Sequence, residues 1–255
     1  MKAFIAFTKK EFTESLRTYR LIVLAAVFLL LGLMSPLTAK LLPEIMGSID
    51  LGDGVFITMP EASAMSSWEQ FFGYIGQMGM LALIITFGGL MANELSRGTL
   101  INLLTKGMKR QTVILSKFLT ASVLWAGSYA LSLAVCYAYT AFFWPGGVLS
   151  NAFLAFFSLW LFGEFLIALL IFGGVLFGNF YGSLLGCFGV IIILSTLNLF
   201  PALSKFNPSS LAAQTLNLLS AQKEAADYLP AFIICAAAAA LLVAAAIAVF
   251  NKRRV

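Results

Sequence analysis

Glu94-Leu-Ser-Arg-Gly-Thr-Leu-Ile-Asn-Leu-Leu-Thr-Lys-Gly-Met-Lys-Arg-Gln-Thr-Val-Ile-Leu-Ser-Lys117 is a polar island between two apolar runs, each long enough to cross a bilayer. It carries five of the chain's sixteen basic residues: Arg97, Lys106, Lys109, Arg110 and Lys117. Its middle reads as a short helix over 100–106. Thr99 is the expected N-cap, Lys106 sits in the last turn, and Gly107 supplies a left-handed stop after it. Leu100, Ile101, Leu103 and Leu104 form an apolar face far too short to span. Glu94 and Arg97, at i and i+3, are spaced to pair at the end of the preceding helix. A loop that only fixes topology needs basic residues, but it does not need a capped helix with an apolar face. This helix is therefore expected to be shown to another protein.

The island separates spans because the whole chain is apolar. Hydrophobic residues make up 61% of it and charged residues 11%, a balance that a soluble domain of 255 residues could not bury. The expected class is an all-α integral membrane protein. A crossing needs about 20 apolar residues, and six runs qualify: 21–39, 71–91, 118–144, 152–177, 183–200 and 229–250. From 152 to 200 the only charge is Glu164, and the stretch is far too long for one crossing. Gly178-Asn-Phe-Tyr-Gly182 supplies the turn that divides it.

Orientation follows from Lys and Arg near the span ends. With the N-terminus in the cytosol, thirteen basic residues lie inside and three (Lys40, Lys205, Lys223) outside, while seven of the eleven acids lie outside. The expectation is six spans with both termini cytosolic. The basic excess is thereby explained by topology and not by a nucleic-acid surface. The first twenty residues lack a continuous apolar run ending in a cleavage site, so no cleavable signal is expected.

The chain divides into an interfacial helix over 1–20 and a transmembrane domain over 21–255. At 100° per residue, Phe4, Ile5, Thr8, Phe12, Leu16 and Tyr19 share one arc, opposed by Lys10, Glu14 and Arg17, as a helix lying among lipid headgroups requires. Phe7 falls outside the arc and is expected on the wet side, where a partner could cover it. Outer segments over 42–70 and 201–229 exceed simple turns. The first places Trp68 at the interface. The second starts a helix at Asn207-Pro208, with Leu211, Leu216 and Leu219 at helical spacing. Both either gate an exit or cap the bundle.

Few residues could carry chemistry. Glu164 is the one ionisable group deep in a span, where charge is expensive and normally faces protein or water. It is either a pathway or proton-carrying residue, or a structural acid bonded to the Trp160 indole or to a polar group on another span. Gly174, Gly178, Gly182 and Gly186 recur every fourth residue and let helices approach closely, around the turn or between subunits. Without histidine, His-based metal sites, triads and proton relays are excluded, and no metal site is expected. Cys136, Cys187 and Cys235 all lie in apolar runs and read as buried thiols. There is no Gly-x-x-x-x-Gly-Lys-Ser/Thr to cradle a nucleotide triphosphate, and no protease or hydrolase motif, so the chain is not expected to be an enzyme.

The pattern Glu94-x-x-Arg97-Gly98-Thr99-Leu100-x-x-Leu103-Leu104-Thr-Lys106, followed by Lys109-Arg110 and Ser116-Lys117, resembles type-2 ABC transporter permeases. So does the N-terminal Phe7-Thr-Lys-Lys-Glu-Phe12 with Leu16-Arg17-Thr-x-Arg20. The order of elements agrees over essentially the whole chain. In that family the 94–117 stretch is the coupling segment that docks into a separate cytosolic ATPase. The resemblance implies a permease subunit of an ATP-driven exporter, with ATP and Mg held by the partner ATPase. It also implies a second permease chain, a homodimer before a heterodimer, set among membrane lipids, with a path lined largely by the second and fifth spans. An uncharged path suits amphipathic or hydrophobic substrates: antimicrobial or cytolytic peptides first, then drugs or lipids. Two other readings stay open, a proton-coupled secondary transporter using Glu164 and a non-transporting membrane scaffold for an ATPase.

Overall fold

The computed structural model describes residues 2–48, 61–146, 152–219 and 228–253, and all regular structure among them is helical. In chain order the elements are α1 (Lys2–Arg17), α2 (Arg20–Ser48), α3 (Ala64–Tyr74), a π-helical turn (Ile75–Gly79), α4 (Met80–Phe87), α5 (Ala92–Arg97), α6 (Ile101–Thr105), α7 (Arg110–Phe143), α8 (Ala152–Phe177), α9 (Phe180–Leu197), α10 (Pro201–Ser204), α11 (Ser210–Ala213), α12 (Thr215–Leu219) and α13 (Leu229–Lys252). Six stretches are long and apolar enough to cross a membrane: Arg20–Gly47, Ala64–Arg97, Arg110–Phe143, Ala152–Phe177, Phe180–Leu197 and Leu229–Lys252. The chain is a multi-pass membrane protein of the expected class.

The division between the fourth and fifth spans falls at Gly178, whose φ of +71° suits only a residue without Cβ. Asn179 then caps α9, its side-chain oxygen accepting from Gly182 N–H at 2.6 Å. Gly178, Gly182 and Gly186 serve this turn, and Gly174 lets α8 approach the start of α5. Side chains at Gly182 or Gly186 would strike the Phe177 ring that closes α8, and one at Gly174 would press on Ala92 and Met91.

The first outer segment differs from expectation. The first span runs on as helix through Pro36 and Pro43 to Ser48, and α3 begins at Ala64, where Ser63 accepts from Ser66 N–H at 3.2 Å. Much of the 42–70 segment is thus helix end, and 49–60 lie outside the described residues. The early start of α3 carries Trp68 inward. It is 2% exposed and packs on Phe71 and Phe156, with ring centroids 5.6 and 5.1 Å away, so its ring faces the protein and not lipid headgroups. After α9 and the short α10, helices α11 and α12 fold back on α8 and bury Leu211, Leu218 and Leu219. Buried Asn207 ties them to α9, donating to Leu194 O and to Asn198 Oδ1 (2.7 Å). Residues 220–227 lie outside the described residues.

The centre of the bundle is α8, with 78% of its apolar stretch buried; for α9 the share is 11%. Two glycines set the closest crossings. A Cβ on Gly32 of α2 would collide with the backbone carbonyl of Ser132 on α7, and one on Gly163 of α8 would enter the Trp125 indole of α7. The Trp125 indole N–H donates to Trp160 O at 3.0 Å. The face of α7 turned inward carries Ser116, Thr120, Ser128, Ser132 and Thr140, small side chains that permit this approach.

Candidate functional site

The polar island folds into an arm of two short helices, α5 and α6, each ended by a glycine. Gly98 (φ +65°) closes α5: its N–H donates to Leu95 O at 3.3 Å, and Thr99 N–H to Glu94 O at 3.2 Å. Gly107 (φ +87°) closes α6 the same way, with Gly107 N–H to Leu104 O at 3.0 Å and Met108 N–H to Leu103 O at 3.2 Å. Both ends are Schellman motifs, which use left-handed glycine to satisfy the last carbonyls. A side chain at Gly107 would meet open space, so the backbone angle alone opposes it. Gly107→Ala is therefore expected to cost about 1 kcal/mol and to raise trypsin cleavage at Lys106 or Lys109 of the detergent-solubilised protein about fivefold.

Three expectations for the arm are corrected. Thr99 does not cap α6. The residue before that helix is Leu100, with no side-chain cap, and the Thr99 hydroxyl donates backward to Glu94 O at 3.4 Å, closing α5. The apolar residues do not share one face toward a partner. Leu100 is fully buried, Leu103 and Leu104 pack half-buried on the protein's own core, and Ile101, Asn102, Thr105 and Lys106 point outward. Glu94 forms no ion pair with its neighbour Arg97, which is exposed.

Glu94 instead reaches across the fold. Its Oε1 lies 3.0 Å from Lys117 Nζ at the start of α7 and 3.2 Å from Lys10 Nζ on α1. Lys117 is 1% exposed and also pairs with Glu11 of α1 at 2.8 Å. Lys10 reaches Glu11 at 2.9 Å and Glu14 at 2.5 Å. The ring of Phe7 lies beside both ammonium groups, 5.3 Å from Lys10 and 5.9 Å from Lys117. Three carboxylates and two ammonium groups thus bind α1, the arm and α7 together. Burial alone would lower the pKa of Lys10, but the Glu14 and Glu11 carboxylates and the charge of Glu94 raise it well above the usual lysine value. Burial would raise Glu14, and the Lys10 ammonium overrides it to hold Glu14 below the usual carboxylate range.

Phe7 is therefore buried and not on the wet side. The face of α1 that packs on the bundle is Phe7, Glu11 and Ser15, while Ile5, Phe12, Leu16 and Tyr19 of the expected arc are exposed. The hydrophobic arc finds the side turned away from the bundle. A sequence signal for the other side does exist: an acid at Glu11, i+4 from Phe7, and a lysine, Lys117, leading into a span.

Two further basic residues close helix ends at the same pole. The Arg110 guanidinium donates to the carbonyls of Phe250, Asn251 (3.3 Å) and Arg253 (2.6 Å) at the end of α13. The Arg253 guanidinium donates to Val175 O near the end of α8. Cations at helix C-termini satisfy orphan carbonyls and complement the helix dipole. Beside the arm lies a recess of about 620 Å³ whose walls include Lys10, Glu14, Arg20, Asn93, Arg97 and Asn102.

Glu164 is 6% exposed, and its partner is neither the Trp160 indole nor a second charge. Ser122 of α7 donates to Glu164 Oε2 at 2.5 Å, and Oε1 has no hydrogen-bond partner. It joins α7 to α8. The second and fifth spans meet across a separate groove of about 420 Å³, whose walls include Phe72, Gln77, Phe162, Ile191, Asn198 and Thr215. Gln77 is exposed within the π-helical turn.

Comparison with known proteins agrees with this architecture. The chain is 28% identical over 228 residues to the uncharacterized transmembrane protein YxlG of Bacillus subtilis (strain 168), an alignment that covers 86% of each protein. The profile of the ABC-2 family transporter proteins matches residues 5–255, from α1 through the last span. The chain therefore belongs to the ABC-2 family of transporter proteins, as a membrane permease.

Proposed function

We propose that this chain is the permease subunit of an ATP-driven exporter, that a separate cytosolic ATPase docks on α6, and that two permease chains form the working unit. Both termini and the arm lie in the cytosol in this reading. The observation that carries it is the arm itself. A five-residue helix too short to span is closed by a left-handed glycine, held by Lys10 and Lys117 through Glu94, and turned so that Ile101, Asn102, Thr105 and Lys106 face outward. Family membership supplies the general expectation of an ATPase partner.

The test is co-purification with the cognate ATPase. Ile101→Asp combined with Lys106→Glu is expected to weaken ATPase binding at least tenfold and leave the fold intact, since both side chains point away from the core. Unchanged binding would mean that α6 is not the docking element. Leu103→Asp and Leu104→Asp are poorer probes, because these side chains brace the arm on its own core.

Hydrophobic or amphipathic substrates, peptides before drugs or lipids, suit a groove between the second and fifth spans whose walls, among the described residues, hold polar but no charged side chains. The exposed arc of α1 suits contact with lipid headgroups.

A second reading, proton-coupled transport through Glu164, draws on the buried carboxyl with one unpartnered oxygen. The two readings separate on Glu164→Gln in proteoliposomes. An ATP-driven permease is expected to retain transport within about twofold, since Gln keeps the Ser122 bond at a cost near that of an ordinary buried hydrogen bond. A proton-coupled carrier would lose it.

A further inference from the structure

Topology does not require Lys117 to be buried. Lys106 and Lys109 are exposed on the same loop and Arg110 is half-buried, so basic charge at this pole is already supplied. An ammonium 1% exposed is costly unless it is paired, and its partners come from two distant parts of the chain, Glu11 of α1 and Glu94 of α5. The position of Glu94 gives this meaning. The regular helix of the second span ends at Phe87, a turn over 88–91 follows, and only then does α5 begin. At its start α5 is seated by Ala92 close against Gly174 of α8. Two residues on, still in the first turn of α5, Glu94 meets Lys10 and Lys117 through a single oxygen, Oε1, while Leu100, Leu103 and Leu104 rest the remainder of the arm on the core. Of the two lysines, Lys10 is half-exposed and shared among three carboxylates, whereas Lys117 is fixed on the long helix α7.

We propose that Lys117 is a positioning residue whose buried ammonium joins the α5–α6 arm, α1 and the third span into one body. A push on α6 then moves α7 and α1 together and does not merely bend the turn over 88–91. For its role in transport this rests on the docking of an ATPase at α6; the mechanical claim does not.

The mechanical claim is tested with the full chain in proteoliposomes, by pulsed electron spin resonance between labels at Lys9→Cys on α1 and Asn102→Cys on α6. Both sites are exposed, and the native thiols are buried. A single narrow distance is expected for the parent. Lys117→Arg should keep it narrow, because a guanidinium can reach both carboxylates. Lys117→Met should at least double its width. Because that change leaves three carboxylates crowded on one ammonium, the neutralised variant Glu11→Gln, Glu94→Gln, Lys117→Met is measured beside it and should be equally broad. A distance as narrow as the parent's in the neutralised variant overturns the proposal.

With the cognate ATPase present, the neutralised variant is expected to bind it and hydrolyse ATP but to move at least tenfold less substrate per ATP, whereas Lys117→Arg, with both carboxylates in place, should transport as the parent does. A merely structural contact would lower the yield of folded protein and leave that ratio unchanged. If the parent itself binds no ATPase, docking at α6 fails, and the distance measurement still decides the role of Lys117.

Discussion

Lys117→Met is expected to destabilise the folded bundle by about 3–5 kcal/mol, the usual cost of removing one partner from a buried ion pair. Lys117 is 1% exposed and pairs with Glu11 at 2.8 Å and Glu94 at 3.0 Å. Without it, Glu11, Glu14 and Glu94, with one carboxylate oxygen of each lying within 4.8 Å of the others, share the half-exposed ammonium of Lys10. Like charges so close repel strongly in a medium of low dielectric. Thermal unfolding in nanodiscs should show a midpoint on the order of 10 °C lower, while Lys9→Met, at an exposed position on α1, should leave it unchanged. A Lys117→Met midpoint equal to the parent's would mean that the cluster contributes no net stability.

Gly32→Val should have the next largest effect. The position of its Cβ is occupied by the carbonyl of Ser132, so a valine can enter only if α2 and α7 separate. Overpacking typically costs about 1–3 kcal/mol when side chains can shift; here the obstacle is backbone, so the expected cost is about 3 kcal/mol or more. The same unfolding measurement checks it. Gly127 provides the internal control: it lies on α7 with nothing near its Cβ position, and Gly127→Ala should be neutral or slightly stabilising. Equal effects at the two glycines would remove the packing argument.

The parts of this structure that were legible in the sequence are those with a local cause. The six spans follow from the length and hydrophobicity of each run, and the division of the long apolar stretch follows from Gly178 and Asn179, whose turn and cap involve only their neighbours. Gly107 as the stop of α6 is equally local. What could not be read locally was the choice among partners. Thr99 sits where it could cap the helix ahead or close the helix behind, and the left-handed Gly98 turns its hydroxyl backward. Glu94 has Arg97 at favourable spacing, yet it meets Lys10 and Lys117, which are far away in sequence. On α1 the hydrophobic arc and the bundle-facing line are different faces. Periodicity finds the arc because it is apolar and misses the line because its middle residue is an acid. Trp68 lies on a helix because an N-cap at Ser63 starts α3 earlier than the apolar run alone implied.

The two left-handed glycines at Gly98 and Gly107 also constrain how this arm can change over evolutionary time. Each residue of an α-helix turns the chain by about 100°, and between the glycines there is no slack to absorb a change of length. Substitutions at Ile101, Asn102, Thr105 or Lys106 alter what the outward side offers while its bearing stays fixed. An inserted or deleted residue in the same stretch would swing that side through a quarter of a turn and bring Leu103 or Leu104 into view. The arm is a keyed part: its surface is free to diversify, but its length is not.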